Sequence, residues 1–475
     1  MENSIHSRRV APRKLFFVPD NIFDIIRFFI FITTKHIYKE KIVLAKAPKG
    51  TSDILPSQID YWYYLENIIK EVLQNYGYRE IRTPAFEYTE LFVRGIGATT
   101  DIVNKEMFTF QDRKGRSLTL RPEGTAPVVR AYIEHNLKRE NPLLKLFYLG
   151  SMFRCEKPQA GRYRQFNQFG LEAIGSPLPI IDAEIISASL AIYQKIGLTN
   201  LSLMLNSVGC RDCRPKYLAA LRDYFLDKKN FLCPDCLLRY EKNPLRILDC
   251  KKEQCQKIIK KCPSIFDYLC EDCASHFHKL RQYLDSLGIV YQINPLLVRG
   301  LDYYTKTAFE IVSGELGAQN AVGGGGRYDY LVEELGGTFT PAVGFAAGME
   351  RIIETMIKQN IKIPSWEGIK VFVAITDSSY SVTALEIVNQ IRENGITAEM
   401  DFLGKSLKAQ MRLANKLKVS YVLLLGQEEW QEKKVTIKDM VNGSQEKIFI
   451  TEILPYLQSL LLEKEKGKSS EQKFY

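Results

Sequence analysis

Between Met107 and Gly175 the chain runs through four short strand-like segments: MFTFQD, SLTLRPEGTAP, KLFYLGSMFRCE and RQFNQFGLEAIG. Their turns are rich in Gly, Pro and charged residues. Strands this closely spaced leave little chain for crossovers, so they predict an antiparallel sheet. A helix is expected before them, because Ile59, Trp62, Leu65, Ile68, Ile69 and Val72 recur at helical spacing and Gly77 supplies a stop. DAEIISASLAIYQKIG reads as a further helix and LSLMLNS as a strand.

The pattern then changes twice. Residues 210–290 are rich in Cys, Lys and Leu with helical periodicity, which predicts an inserted helical subdomain. After IKIPSWEG, strand and helix alternate (IKVFVAIT, SVTALEIVNQIREN, ITAEMD, SLKAQMRLANKL, VSYVLLLG), as in a separate α/β domain with a parallel-type sheet. The expected domains are an extension at 1–42, a first domain at 43–365 containing the insertion, a second at 366–464 and a disordered tail at 465–475. The leader NIFDIIRFFIFIT is interrupted by Asp24 and Arg27 and falls short of the roughly 20 apolar residues of a span. Residues 1–42 read either as a genuine N-terminal extension or as a mis-assigned start with Val43 as the alternative initiator, since Lys39-Glu40 is what a purine-rich ribosome-binding sequence would encode. No membrane role is expected.

With 45% hydrophobic and 25% charged residues the composition is that of a globular protein, and the net charge of +10 suits an anionic partner. Nine of the 10 cysteines lie between Cys210 and Cys273, which argues for a reduced compartment. Cys210, Cys213, Cys233 and Cys236 have spacing that suits a structural zinc site. The later cysteines, Cys250 to Cys273, could supply a second site, and buried thiols packing a small core are the alternative.

Several polar clusters stand out. FRCEKPQAGRYRQF places Arg154 and Glu156 on one strand face and Arg162 and Arg164 in or beyond the turn, a donor set suited to polyphosphate. Gln168, Gly170 and Glu172 share a face of the second arm. RGLDYYTKTAFE sets Arg299, Asp302, Tyr303, Tyr304 and Lys306 in strand-like sequence, with Asp302 and Lys306 lacking any evident role. The run AVGGGGRYDYL reads either as a flexible turn or as a place of close backbone approach.

The order FRCE…GRYRQF, RGLDYYT, GGGGRYD, GFAAGMERI, together with the opening APKGTSDILP, closely resembles the histidyl-tRNA synthetases, a class II aminoacyl-tRNA synthetase family. The resemblance runs from about Ala47 into the C-terminal domain. It implies an α+β protein: an antiparallel-sheet class II catalytic domain with a helical insertion, followed by an α/β anticodon-binding domain. It implies ATP-driven formation of histidyl-adenylate, with Mg2+, and transfer of the histidyl group to tRNA(His). By resemblance Arg154 contacts the α-phosphate and Arg299 faces it from the other side, where other class members use a metal. Glu156 and Phe166 hold the adenine, and Arg162 and Arg351 the outer phosphates. Glu123, Thr125 and Gln168 take the substrate ammonium. Glu172 and Tyr304 grip the imidazole nitrogens, and Tyr303 and Tyr328 line the pocket. Gln159 and Arg162 face the tRNA acceptor end, and Lys405, Lys408 and Arg412 lie in the anticodon-binding domain.

A cytoplasmic homodimer is implied, with residues 59–84 at its interface. The rival reading is a histidine-sensing regulatory subunit of ATP phosphoribosyltransferase, a paralogue without the anticodon domain and with eroded ATP-binding residues. A third is a synthetase-like RNA sensor, which would come fused to a kinase.

Overall fold

A computed structural model describes residues 46–97, 100, 102–156, 163–315, 320–364 and 368–471, with side chains to residue 462. Residues 1–42, Gln159 and Arg162 lie outside the described residues. The chain divides into two compact units, one to Ile361 and one from Lys362.

The first unit is built on an eight-stranded sheet of order β1-β5-β6-β11-β10-β9-β7-β8. Its strands are β1 (Arg79–Glu80), β5 (Leu144–Phe153), β6 (Gln165–Ile174), β7 (Leu201–Ser207), β8 (Tyr291–Ile293), β9 (Thr305–Ser313), β10 (Ala321–Arg327) and β11 (Ala342–Gly348). β2 (Phe86–Tyr88), β3 (Thr109–Gln111) and β4 (Ser117–Leu120) form a separate antiparallel sheet. Every pairing from β5 to β7 is antiparallel, and the edge pairs β1–β5 and β7–β8 are parallel. The long hairpin β5–β6 pairs residue for residue from Leu144↔Ile174 to Phe153↔Gln165. The helix Pro179–Ile196, buried along most of its length, packs on β11 and β6 and against the helices Ile59–Asn75 and Glu271–Ser286.

That packing hides a charged cluster. Arg327, at the end of β10, is fully buried, and its guanidinium donates to both oxygens of Asp182, to Asp329 and to the carbonyls of Ser176 and Leu178. Asp182 also accepts from Thr307 (2.6 Å) and lies 2.7 Å from His276 Nε2. Burial opposes its charge, but Arg327 and His276 more than offset it and hold the carboxyl at about 2. Fully satisfied in this way, the cluster ties two helices to β9 and β10.

The insertion between β7 and β8 is helical, as its periodicity suggests, with helices Cys213–Leu226, Pro234–Lys242, Glu253–Ile259 and Glu271–Ser286. It has its own core around Tyr217, Leu221, Phe225, Ile247 and Ile259. The four cysteines grouped by their spacing do not meet as one set. Cys210 and Cys213 gather with Cys270 and Cys273, while Cys233 and Cys236 gather with Cys250 and Cys255. Spacing shows which cysteines form a turn, but tertiary packing decides which turns face each other.

Three more expectations need correction. RGLDYYT is not strand: β9 begins at Thr305, and residues 299–304 form the loop before it. Its backbone groups bond elsewhere, Asp302 N–H donating to the Ile96 carbonyl (3.1 Å). The glycine run is not a turn but β10, an interior strand of the sheet. The sheet of the second unit is mixed.

That second sheet has order β13-β12-β14-β15-β16, from β12 (Val371–Ile375), β13 (Ala398–Met400), β14 (Tyr421–Leu425), β15 (Lys434–Asp439) and β16 (Gln445–Phe449). β12, β13 and β14 are parallel, and β15 and β16 are antiparallel. The link from β14 to β15 is shorter than the dozen or so residues a crossover needs, so the chain must turn back. Every residue of β12 is buried: Val371, Val373 and Ile375 face one core, and Phe372 and Ala374 the other. The final helix runs Ile453–Glu471, into the segment expected to be a disordered tail.

Candidate active site

A cavity of about 1420 Å³ opens between the large sheet and the insertion. Glu123, Thr125, Gln168, Glu172, Tyr303, Tyr304 and Tyr328 line it. So do Arg154, Glu156, Phe166, Arg299 and Arg351. Every described site residue expected from sequence is therefore in one place, and the insertion adds Asp235, Arg239 and residues 248–252 to the wall.

The buried end is built around Glu172 on β6, a fully buried carboxyl. Thr125 Oγ1 donates to its Oε1 (2.8 Å) and the Tyr328 hydroxyl to its Oε2 (2.6 Å). Burial pushes Glu172 up to about 8, even though those two hydrogen bonds pull the other way. Glu123 accepts the N–H groups of Thr125 (2.7 Å) and Ala126 (2.9 Å), capping the helix Thr125–Glu134. Burial raises its carboxyl too, against the pull of those amides. The rings of Tyr303, Tyr304 and Tyr328 meet beside it, with centroids 4.8 Å apart for the first pair and 5.7 Å for Tyr303 and Tyr328. Gln168 Oε1 is buried with no hydrogen-bond partner among the described residues. A buried acceptor in that position is suited to a substrate donor.

The open end carries cations. Arg154 donates through Nε to the Pro122 carbonyl (2.9 Å), lies 3.9 Å from Glu156, and stands over the Phe166 ring at 5.2 Å. Arg351, in the helix Met349–Lys358, donates to the Ala321 carbonyl (2.9 Å). Arg299 pairs with Glu310 of β9. Burial disfavours the Arg299 charge, and Glu310, together with Tyr304 and Tyr303, more than restores it. The Arg299 Nε has no partner among the described residues.

Glycines make room for these groups. Gly324 is opposite Glu310 in the β9–β10 register, and a Cβ there would lie 2.6 Å from the Arg299 guanidinium carbon. Gly344 is opposite Glu172 in the β6–β11 register, and a Cβ there would lie 1.7 Å from Glu172 Oε2. The close approach expected of the glycine run is real, but what approaches is the protein's own side chains.

The loop 299–304 is held from the insertion. Arg246 donates to Asp302 (2.8 Å) and to the Gly300 carbonyl (2.9 Å), and Asn243 donates to Asp302 at 3.3 Å. Asp302 thus has the role that sequence left open. Lys306, at φ 49°, pairs with Asp329 at 3.4 Å. Sequence reasoning missed Glu310, Gly324, Gly344, Arg214, Arg246 and the Asp182–Arg327 pair. Glu310 closes RGLDYYTKTAFE, Gly324 and Arg327 lie in AVGGGGRYDYL, Gly344 opens GFAAGMERI and Asp182 opens DAEIISASLAIYQKIG, yet their partners are distant along the chain; Asp182 and Arg327 do not line the cavity.

The chain is similar to known proteins over most of its length. The family model for histidyl-tRNA synthetase matches residues 50–213 and 249–352, and that for an anticodon binding domain matches 370–460. The histidine–tRNA ligase of Desulforamulus reducens is 50% identical over 417 residues, covering 88% of this chain and 100% of that one. That of Thermoanaerobacter sp. is 52% identical over 411 residues, 86% of this chain and 98% of its own. The apo histidyl-tRNA synthetase of S. aureus superposes with a TM-score of 0.73 at 38% identity, over 87% of this chain and 99% of that one. A Bacillus halodurans protein described as an ATP phosphoribosyltransferase regulatory subunit/histidyl-tRNA synthetase is 21% identical with a TM-score of 0.60, a likeness of fold alone. The chain belongs to the histidyl-tRNA synthetase family.

Proposed function

We propose that the cavity joins histidine to ATP and then to tRNA in two steps. The chain is a histidine–tRNA ligase. In the first step a carboxylate oxygen of histidine attacks the α-phosphorus and pyrophosphate leaves. In the second a ribose hydroxyl of the tRNA terminus attacks the acyl carbon and AMP leaves. Neither step needs covalent participation by the protein, so positioning and charge carry the catalysis.

The observation that carries the reading is one cavity with a buried carboxyl–tyrosine end and an arginine-rich end. Arg154 and Arg299 act on the α-phosphate and Arg351 on the outer phosphates. Glu156 and Phe166 hold the adenine. Glu123, Thr125 and Gln168 take the ammonium, and Glu172 with Tyr304 takes the imidazole. A carboxyl and a phenol on the two ring nitrogens reject analogues lacking them by about 10⁴-fold or more. Mg2+ accompanies ATP as a hard cation with oxygen ligands. Glu310 and Glu350 line the cavity and would hold it, and Glu350 Oε1 already accepts from Asn167 (2.7 and 3.1 Å).

The proposed domains are catalytic at 43–365 and anticodon-binding at 366–464. Gln159 and Arg162 meet the tRNA acceptor end. Lys405, Lys408 and Arg412 are exposed beside exposed Phe402 and Leu403, a mixture suited to RNA phosphates and bases. A homodimer is supported by apolar side chains exposed in and around residues 59–84, among them Leu55, Tyr63, Phe86 and Tyr88. No helix among the described residues is long and apolar enough to cross a membrane; the proposed location is cytoplasmic. The regulatory-subunit reading is disfavoured, because the relatives at about half identity are ligases over nearly their whole length.

Aminoacylation of total tRNA with each amino acid in turn tests the function. Histidine alone should charge, and only with ATP. Pyrophosphate exchange driven equally by another amino acid would overturn it. Light scattering reading twice the chain mass supports the dimer, and a single chain mass excludes it.

A further inference from the structure

Eight of the ten cysteines gather in two groups of four, nested along the chain. The root group is Cys210, Cys213, Cys270 and Cys273; the nested group is Cys233, Cys236, Cys250 and Cys255. Within each, all four sulfurs lie within 4.8 Å of one another. Cys210 and Cys213 are 3.6 Å apart, Cys210 and Cys270 are 3.8 Å apart, and Cys233 and Cys250 are 3.9 Å apart. Zinc–sulfur bonds of about 2.3 Å give a tetrahedron with edges of about 3.8 Å. Disulfide sulfurs would stand about 2.05 Å apart, and all of these cysteines are free.

Backbone amides also aim at the sulfurs. Cys270 N–H donates to Cys213 Sγ at 3.0 Å, Cys233 N–H to Cys255 Sγ at 3.3 Å and Asp212 N–H to Cys210 Sγ at 3.4 Å. A neutral thiol is a weak acceptor, whereas a metal-bound thiolate is oriented and stabilised by such donors. The root turn is tight, since a Cβ on Gly209 (φ 68°) would lie 2.7 Å from Cys213 Cβ.

Apolar packing is the competing account. Around the nested group it accounts for Tyr217, Phe225 and Ile259 but not for four sulfurs meeting within 4.8 Å, with the Cys233 amide on Cys255 Sγ. It does not serve for the root group. Among the described residues that buried cluster is the cysteines themselves, with Leu269 beside them. Four sulfurs converging with little apolar surface around them are a ligand set.

We propose that the insertion holds two structural zinc ions, one on each group, and that the root zinc positions the loop carrying Tyr303 and Tyr304. The connection is short. Arg214, next to Cys213, donates to the carbonyls of Asp302 (3.2 Å) and Tyr304. On the other side of the turn, Val208 N–H donates to the Lys306 carbonyl (2.7 Å) and Lys306 N–H to the Gly209 carbonyl (2.8 Å). A metal on Cys210 and Cys213 fixes both clamps at once. The loop lies between Arg214 and Lys306, so its tyrosines inherit that rigidity.

Metal analysis of full-length protein purified without chelator tests this. Two equivalents of zinc per chain are expected, and cobalt substitution should give the ligand-field absorption of tetrahedral four-sulfur sites. Fewer than two equivalents, or iron in place of zinc, overturns the proposal without reference to activity. Nesting has its own test: Cys210→Ser with Cys273→Ser should leave one equivalent, and so should Cys233→Ser with Cys250→Ser. If the cysteines paired in sequence order instead, each double variant would damage two sites and leave none, which overturns the assignment. Cys262→Ser, outside both groups, should keep two. For positioning, the root variant should raise KM for histidine by about tenfold while that for ATP moves much less. Equal shifts in both, with one zinc retained, refute the positioning role.

Discussion

Glu172 is an uncommon residue to bury, and its surroundings make specific demands. With a folded value of about 8 against an ordinary 4.5, the native state binds a proton that the unfolded chain releases. Its contribution to stability is therefore complete below about pH 4.5 and is lost as pH rises through about 8. Glu172→Gln should flatten the stability profile of the ligand-free protein over that window, by a limiting slope of about 1.4 kcal/mol per pH unit. Parallel denaturation curves for the two proteins would show that Glu172 is not shifted. Tyr304→Phe should raise KM for histidine roughly tenfold, the worth of one buried hydrogen bond, and leave that for ATP nearly unchanged. Equal effects on the two substrates would sink the imidazole assignment. Gly324→Ala tests the phosphate end, because the added methyl group meets Arg299, which sits on the Gly324 backbone. Overpacking of this kind costs about 1–3 kcal/mol. Single-turnover adenylate formation should slow while thermal unfolding moves by only a few degrees, and wild-type adenylate rates would count against Arg299 at the phosphate.

At the level of elements, what sequence disclosed and what it hid divide along a physical line. The hairpin β5–β6 and the helices Ile59–Asn75 and Pro179–Ile196 were legible because their apolar periodicity is local. Legible too were Arg154, Glu172, Arg299 and the tyrosines, through motifs whose order resembles one family. Hidden were features fixed by partners distant along the chain. The loop 299–304 reads as strand because its neighbours are apolar, yet Arg214, Asn243 and Arg246 of the insertion hold it. The glycine run reads as a turn until Arg299 and Phe345 are laid across it. Cysteine spacing gave the turns but not their nested meeting. Arg246 grips Gly300, next to Arg299, as well as Asp302, next to the tyrosines, so unlike loss of the root clamps at the Tyr304–Lys306 end, Arg246→Ala should weaken both substrates together. A drop in kcat/KM of roughly tenfold or more for histidine and ATP alike is expected. An effect confined to one substrate would mean the loop is held mainly elsewhere.

At the scale of the whole molecule, each unit has its own hydrophobic core. In the second, buried residues on both faces of β12 satisfy the sheet without help from the first. Residues 362–475 alone should therefore unfold cooperatively in denaturant; a gradual, non-cooperative loss of helix would show that the unit depends on the rest. The first unit is organised around Asp182 and Arg327, which bind no ligand in the proposed mechanism, and this divides the ways the chain can fail. Changes at Asp182 or Arg327 leave a buried charge without its partner, so the protein should be lost before any reaction can be measured. Changes at Arg299 or Glu172 should leave abundant, soluble and inert protein. A mutational scan scored for both cellular abundance and growth would sort the two kinds. The arginine of RYD would then serve as a marker of the architecture, and a relative retaining it without the arginine of RGLDYYT would have kept the scaffold after giving up the reaction.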